Sequence, residues 1–244
     1  MSRPPPPRQL HHPGWVPSAR AGLERLLSGP PGVAVFDCDR TLIHGDISET
    51  ALADLEADTG ASLVAAYEEG VRRDKLTAYV ELVHVLVAGK TESEARALAE
   101  RTLRRHNSLR PREALRELVW ALHRCEWEVW VVSASPEVLV QVVTAQFGIH
   151  PHRVIGMRSH VDDAGRFRSE LVPPATWREG KVAALHHLPA PPDLAVGDSE
   201  GDLPMMRAAR TSLLIDLDTE DVVEEARRIG AWIQPGADLT EPGP

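Results

Sequence analysis

The chain has 244 residues, with 27 Lys plus Arg against 36 Asp plus Glu, a formal net charge of −9. That acidic balance argues against a nucleic-acid or anionic-membrane surface, since either demands a basic footprint. Apolar residues at 43% and charged residues at 26% match the globular norm and exclude global disorder. Two cysteines, Cys38 and Cys125, can build neither a disulfide scaffold nor a cysteine zinc cluster. No apolar run approaches the ~20 residues of a membrane span. The opening Met-Ser-Arg-Pro-Pro-Pro-Pro lacks the apolar stretch of a leader. The expectation is a cytoplasmic protein with no nucleic-acid and no membrane partner.

Eight of the 20 prolines fall within residues 1–31. Residues 1–22 therefore read as a Pro-rich flexible arm, disordered or loosely docked, in which Pro4 to Pro7 is either a plain tail or a polyproline ligand. Val33–Phe36 is a short apolar run after Pro-Pro-Gly, which suits a buried strand. From Asp46 to about residue 107 the pattern turns helical throughout, with Thr91-Glu-Ser-Glu94 as a capping box. Residues 112–124 predict a helix, 129–132 a second buried strand and 137–146 another helix. Residues 154–171 alternate around Asp162-Asp-Ala-Gly165, the signature of a small hairpin. Helix 179–187, strand 194–196, helix 202–209, strand 212–216 and helix 220–228 follow. Residues 235–244 read as a loose tail. Strands alternating with helices predict an α/β, Rossmann-like parallel sheet covered on both faces. Its core spans 23–45 and 108–234, with an all-helical cap over 46–107. That insertion follows the first strand, beside the end where open α/β sheets bind ligands.

Chemistry concentrates in Val35-Phe-Asp-Cys-Asp-Arg-Thr-Leu42. Asp37 and Asp39 follow the strand directly and share a pleat direction while the chain stays extended, so both face one pocket. Two close carboxylates repel unless a cation or a proton intervenes, an arrangement that offers a nucleophile beside a general acid/base. The bland reading is an acidic loop or cap. A second strand ends in Gly197-Asp-Ser-Glu-Gly-Asp202, whose Asp198 and Asp202 oxygens are hard ligands suited to Mg²⁺. Ser133 sits at a strand terminus, as a phosphate donor or as an N-cap of the helix after Pro136. Lys181 falls in the first turn of a predicted acid-poor helix, against the dipole preference for anions, or is simply solvated.

These four segments, in this order, resemble the haloacid dehalogenase superfamily of phosphohydrolases over about residues 32–216. The resemblance implies a Mg²⁺-dependent phosphatase in which Asp37 is phosphorylated. It gives Asp39 the role of protonating the leaving group and then activating water, with Thr41 supporting it. Ser133 and Lys181 would hold the transferring phosphoryl group. Asp198 and Asp202 would hold Mg²⁺ with Asp37 and the backbone carbonyl of Asp39. Arg40 departs from the pattern, since many members carry Gly or a small polar residue there, and it is positioned to alter access or reach the substrate.

The helical insertion and Gly-Asp-Ser-x-x-Asp are most similar to the phosphoserine-phosphatase branch, where an acidic residue nine positions after the nucleophile contacts the substrate ammonium. Here that residue is Asp46, followed by Glu49. It either favours an amine-bearing ester or, with Ser48, starts a helix. The implied substrate contacts are Asp46, Arg40, Ser133 and Ala134. The branch's cap arginine aligns with Val83, with Arg72 or Arg73 as nearby substitutes, so phosphocholine-like, phosphoethanolamine-like and other small phosphomonoesters stand beside phosphoserine.

The pairs His11-His12 and His186-His187 lack the spacing that presents two metal ligands on one helix face. Trp120, Trp127 and Trp130 read as core, and Cys38 as pointing into it. The expected partner is a small phosphate ester. The alternatives are a phosphotransferase or mutase of the same superfamily, or a non-catalytic phospho-ligand-binding protein.

Overall fold

The computed structural model describes residues 9–239. Val33–Phe36 forms β1, buried at all four positions. Strand β2 spans Glu128–Pro136, β3 Val154–Val161, β4 Phe167–Val172, β5 Leu194–Gly197, β6 Thr211–Asp216 and β7 Trp232–Pro235. They make one sheet in the order β4-β3-β2-β1-β5-β6-β7. All neighbours are parallel except β3 and β4, the expected hairpin. The chain runs from β1 through β2 to β3 on one side, then returns to β5 on the other. Strand order reverses at β1, so the crevice beyond the carboxyl ends of β1, β2 and β5 is where a ligand belongs.

Among the described residues, ten α-helices accompany the sheet: α1 Pro17–Ser28, α2 Ile47–Thr59, α3 Leu63–Arg73, α4 Lys75–Val87, α5 Glu92–Arg105, α6 Glu113–Arg124, α7 Glu137–Thr144, α8 Glu179–Ala184, α9 Leu203–Ala208 and α10 Glu220–Arg228. Helices α2–α5 fill the interval between β1 and α6 and add no strand to the sheet. Their ends follow the local chemistry. Asp46 caps α2, Gly60 closes it at φ +72°, and the Thr91–Glu94 capping box opens α5. The insertion is tied to the hairpin: Gly89 N–H donates to the Phe167 carbonyl (2.8 Å), and Phe167 N–H donates to that of Lys90 (2.9 Å).

Three expectations need correction. The described part of the Pro-rich segment is docked rather than a free arm; residues 1–8, with Pro4 to Pro7, lie outside the described residues. Leu10 and Trp15 are buried, and α1 starts at Pro17, where a missing N–H costs a helix nothing. The buried Gln234 ties this segment to β7: its side chain accepts from Val16 N–H (2.9 Å) and donates to the Gly14 carbonyl (2.9 Å). Gly22 lets the Trp232 ring lie flat on α1, since a Cβ there would sit 2.2 Å from it. The loose C-terminal tail likewise begins later than residue 235, because Leu239 is fully buried; residues 240–244 lie outside the described residues. Finally, Trp120 is 47% exposed, whereas Trp127 is core. The buried face of α6 is Ala114, Leu115, Leu118, Val119, Ala121 and Leu122, and Trp120 projects from the other side.

Candidate active site

The chain leaves β1 still paired. Asp37 N–H donates to the Val196 carbonyl (2.8 Å), which sets the Asp37 side chain at the mouth of the crevice. Lys181 reaches it from α8, buried, donating to Asp37 Oδ1 and to Asp202 Oδ1 at 2.6 Å each. Helix α8 begins with Glu179 and is therefore not acid-poor, and Lys181 is not solvated. The other Asp202 oxygen accepts from Asp198 N–H (3.1 Å), Ser199 N–H (3.0 Å) and the Ser199 hydroxyl (2.8 Å), folding the loop after β5 into a tight cup. Gly197 is required there, since a Cβ would lie 2.4 Å from the Asp202 side chain. Thr41 donates to Asp198 Oδ1 at 2.6 Å and so acts on that carboxylate rather than on Asp39. Carboxylate oxygens of Asp37, Asp198 and Asp202 all lie within 4.8 Å of one another. That donor set, hard oxygens only, fits a small divalent cation.

Asp39 is held on both oxygens. Oδ1 accepts from Ile47 N–H (2.7 Å), and Oδ2 from the hydroxyls of Ser135 (2.7 Å) and Ser133 (3.2 Å). Ser48 in turn donates to Ser135 (2.7 Å). Ser133 is not a helix cap, because α7 is preceded by Pro136 with no side-chain cap. Ser135 was not singled out from the sequence, and Ser48 was read there only as part of a helix start. The signal for Ser135 was available, because residues 133 and 135 share a strand face. Arg112 was also missed. Buried, it donates to the carbonyls of Arg40 (3.1 Å) and Gly236 (3.1 Å). That clamp holds Arg40 at φ +59°, a left-handed conformation in which glycine is at ease. The conformation accounts for the small residue that the resemblance led one to expect at this position.

Electrostatics follow from concentrating carboxylates away from water. Burial, against the pull of Lys181, pushes the Asp37 carboxyl up to about 7. Burial also raises Asp39, partly offset by its hydrogen bonds, and pushes Asp198 well above the carboxylate range, aided by Asp202 and Asp37. Lys181 is desolvated, yet Asp202 and Asp37 hold it charged, above the usual lysine range. The site thus stores excess negative charge that a cation would relieve.

Asp37, Asp39, Ser133, Ala134, Lys181 and Asp198 line one cavity of about 110 Å³. Its far end is built by the insertion: Asp46, Glu49, Tyr67, Tyr79, Leu82 and Val83, with Trp177 from the core. Asp46 starts the helix and also lines the cavity. One oxygen caps α2 through Ser48 and Glu49 N–H (2.9 Å each), and the residue also faces the cavity. Burial, with Asp39 and Glu49 nearby, raises its carboxyl well above the ordinary range. Arg40 reaches the cavity too, paired with Glu49 at 2.6 Å. Arg72 and Arg73 do not substitute for a cap arginine, since both are exposed and turned to Glu69. Burial, with the negative charge of Asp46 and Glu49 nearby, pushes the Tyr79 hydroxyl up to about 12.

Acidic groups, a buried lysine and serine hydroxyls meeting at the switch point of a doubly wound sheet define a hydrolase-type site of phosphate-handling character. Residues 34–207 match the haloacid dehalogenase-like hydrolases, and the chain belongs to that family. The family typically uses Mg²⁺. A protein of unknown function from Anaerococcus prevotii DSM 20548 shares 16% identity at a TM-score of 0.73, covering 92% of this chain and 93% of that one. A phosphoserine phosphohydrolase-like protein from Francisella tularensis shares 17% identity at 0.63, covering 85% and 97%. A substrate-bound phosphoserine phosphatase shares 17% identity at 0.60, covering 85% and 94%. These likenesses are of fold. No curated protein matches the sequence. No helix among the described residues is long and apolar enough to cross a membrane.

Proposed function

We propose that the protein is a Mg²⁺-dependent phosphomonoester phosphohydrolase that works through an aspartyl-phosphate on Asp37. The observation that carries this reading is the convergence of Asp37, Asp39, Ser133, Lys181 and Asp198 on one cavity. Asp37, Asp198 and Asp202 would hold the metal, with the Asp39 carbonyl, and the bound ion would mask negative charge on the phosphoryl oxygens. Asp37 is the nucleophile, forming a bond to phosphorus as the ester oxygen departs. Lys181, fixed between Asp37 and Asp202, offsets the charge of the approaching dianion. Ser133 orients a phosphoryl oxygen. Asp39, whose carboxyl is shifted upward by burial, gives a proton to the leaving oxygen and later takes one from the attacking water. The substrate is a small phosphorylated metabolite, and Asp46 and Glu49 support an amine-bearing leaving group, of phosphoserine, phosphocholine or phosphoethanolamine type. Cysteine usage, two residues in the whole chain, suits a reducing, cytoplasmic setting.

The test is turnover of p-nitrophenyl phosphate with Mg²⁺, scored as inorganic phosphate released. Activity is expected, and is lost in Asp37→Asn and on chelation. A folded, Mg²⁺-binding protein that releases no phosphate from any of a broad ester panel refutes the reading and leaves a phospho-ligand binder.

A further inference from the structure

The leaving-group end of the cavity has a composition of its own. Two carboxylates, Asp46 and Glu49, share it with Tyr67, Tyr79 and Trp177, while Leu82 and Val83 close it with hydrocarbon. The rings are packed together: Tyr67 and Tyr79 lie 6.5 Å apart between centroids, and Tyr79 meets Trp177 edge-on at 6.0 Å. Arg178 already lies 4.8 Å over the Trp177 ring. Trp177 therefore braces Tyr79, and the two tyrosines are the rings left to a ligand. Tyr67 is further fixed by its hydroxyl, which donates to Glu49 at 3.3 Å.

From this we propose, resting on the phosphatase reading, that Tyr67 and Tyr79 with Asp46 and Glu49 select a leaving group bearing an N-alkylated ammonium and no carboxylate. A substrate carboxylate meets no unpaired cation among the residues lining this cavity. Lys181 is bound to Asp37 and Asp202, Arg40 is paired with Glu49, and Arg72 and Arg73 lie outside the cavity. A purely apolar leaving group would set Asp46 and Glu49 against hydrocarbon, which is costly. A primary ammonium asks for three acceptors placed around it, whereas the walls here are mostly rings and aliphatic side chains. Methylated ammonium is the cation that aromatic faces beside carboxylates recognise best.

The experiment compares kcat/KM for phosphocholine, its neutral carbon isostere 3,3-dimethylbutyl phosphate, phosphoethanolamine and phosphoserine, with p-nitrophenyl phosphate alongside. The expected result is at least a tenfold preference for phosphocholine over the isostere, and phosphoserine the poorest of the charged esters. Tyr79→Leu and Tyr67→Leu are each expected to cut the phosphocholine-to-isostere ratio by about two- to thirtyfold, chiefly through KM. Tyr79→Phe keeps the ring and is expected to keep the ratio. A wild-type ratio near one, with p-nitrophenyl phosphate hydrolysed, overturns this inference and leaves the phosphatase reading standing; no hydrolysis of p-nitrophenyl phosphate overturns both. Because the wild-type ratio decides on its own, a variant that fails to fold does not rescue the proposal.

Discussion

Asp37→Asn tests the electrostatics of the site independently of turnover. The Asp37 carboxyl titrates at about 7 in the folded protein, against about 4 in an unfolded chain. Between those values the native state binds the extra proton, so stability falls as pH rises through this window. For one group with these constants, the contribution falls from about 3 kcal/mol at pH 5 to near zero at pH 8. Asn cannot ionise and still offers Lys181 an oxygen, so the variant lacks this slope. The metal-free variant should therefore gain about 3 kcal/mol on the wild type between pH 5 and pH 8, or roughly 5–10 °C in Tm for a chain this long. The comparison is made as a difference because His123, held below its ordinary value by burial, gives both proteins stability as pH rises. Thermal unfolding in chelator at the two pH values measures it. Saturating Mg²⁺ should stabilise the wild type more at pH 8 than at pH 5, since carboxylates must ionise to bind it. A difference between variant and wild type that does not change with pH, or that shrinks from pH 5 to pH 8, refutes the reasoning.

Two further perturbations probe the supports. Thr41→Val removes the hydroxyl that donates to Asp198 while keeping the shape; it should raise the Mg²⁺ concentration for half-maximal turnover by about 10- to 100-fold with less effect on kcat at saturation, read from a metal titration. Leu10→Ala should cost about 3 kcal/mol, some 6–12 °C in Tm, because the side chain is fully buried; an unchanged Tm would show that this segment does not dock.

What could be read from the sequence was local, and what could not was made by chain closure. Asp37 and Asp39 flank one strand end, and Asp198 and Asp202 one loop, so spacing alone pairs them. The sheet's alternation was equally plain, because buried strands of a parallel sheet are continuous apolar runs. β7 escaped notice: four residues ending in Pro235 look like a loop, yet proline is tolerated at a sheet edge. The N-terminal segment was misread because proline content outweighed two apolar anchors, Leu10 and Trp15, whose partners lie on distant elements. Tyr67 and Tyr79 are ordinary helix positions in sequence. Only the packing of α3 on α4, and of α4 against β2, β3 and β4, gives them a cavity to face.

The start of α2 is where the two ends of the cavity become one device. Its first residue, Ile47, gives its N–H to Asp39, the proposed acid/base. Asp46 caps the same turn and lines the leaving-group end, while Ser48 fixes Ser135, the other donor to Asp39. Glu49, one residue on, holds Arg40 in the loop that carries both aspartates. A leaving group that draws on Asp46 or Glu49 therefore pulls on the helix end that orients the proton donor. Leaving-group identity should then register in kcat as well as in KM, more so the more basic the alcohol, because protonation by Asp39 matters most for a poor leaving oxygen. An activated ester such as p-nitrophenyl phosphate, whose departing oxygen needs little protonation, should lose less rate than an alkyl ester when Asp39 is replaced by Asn. Equal losses for the two esters would show that Asp39 does not serve the departing oxygen, and the coupling through α2 would have no proton to govern.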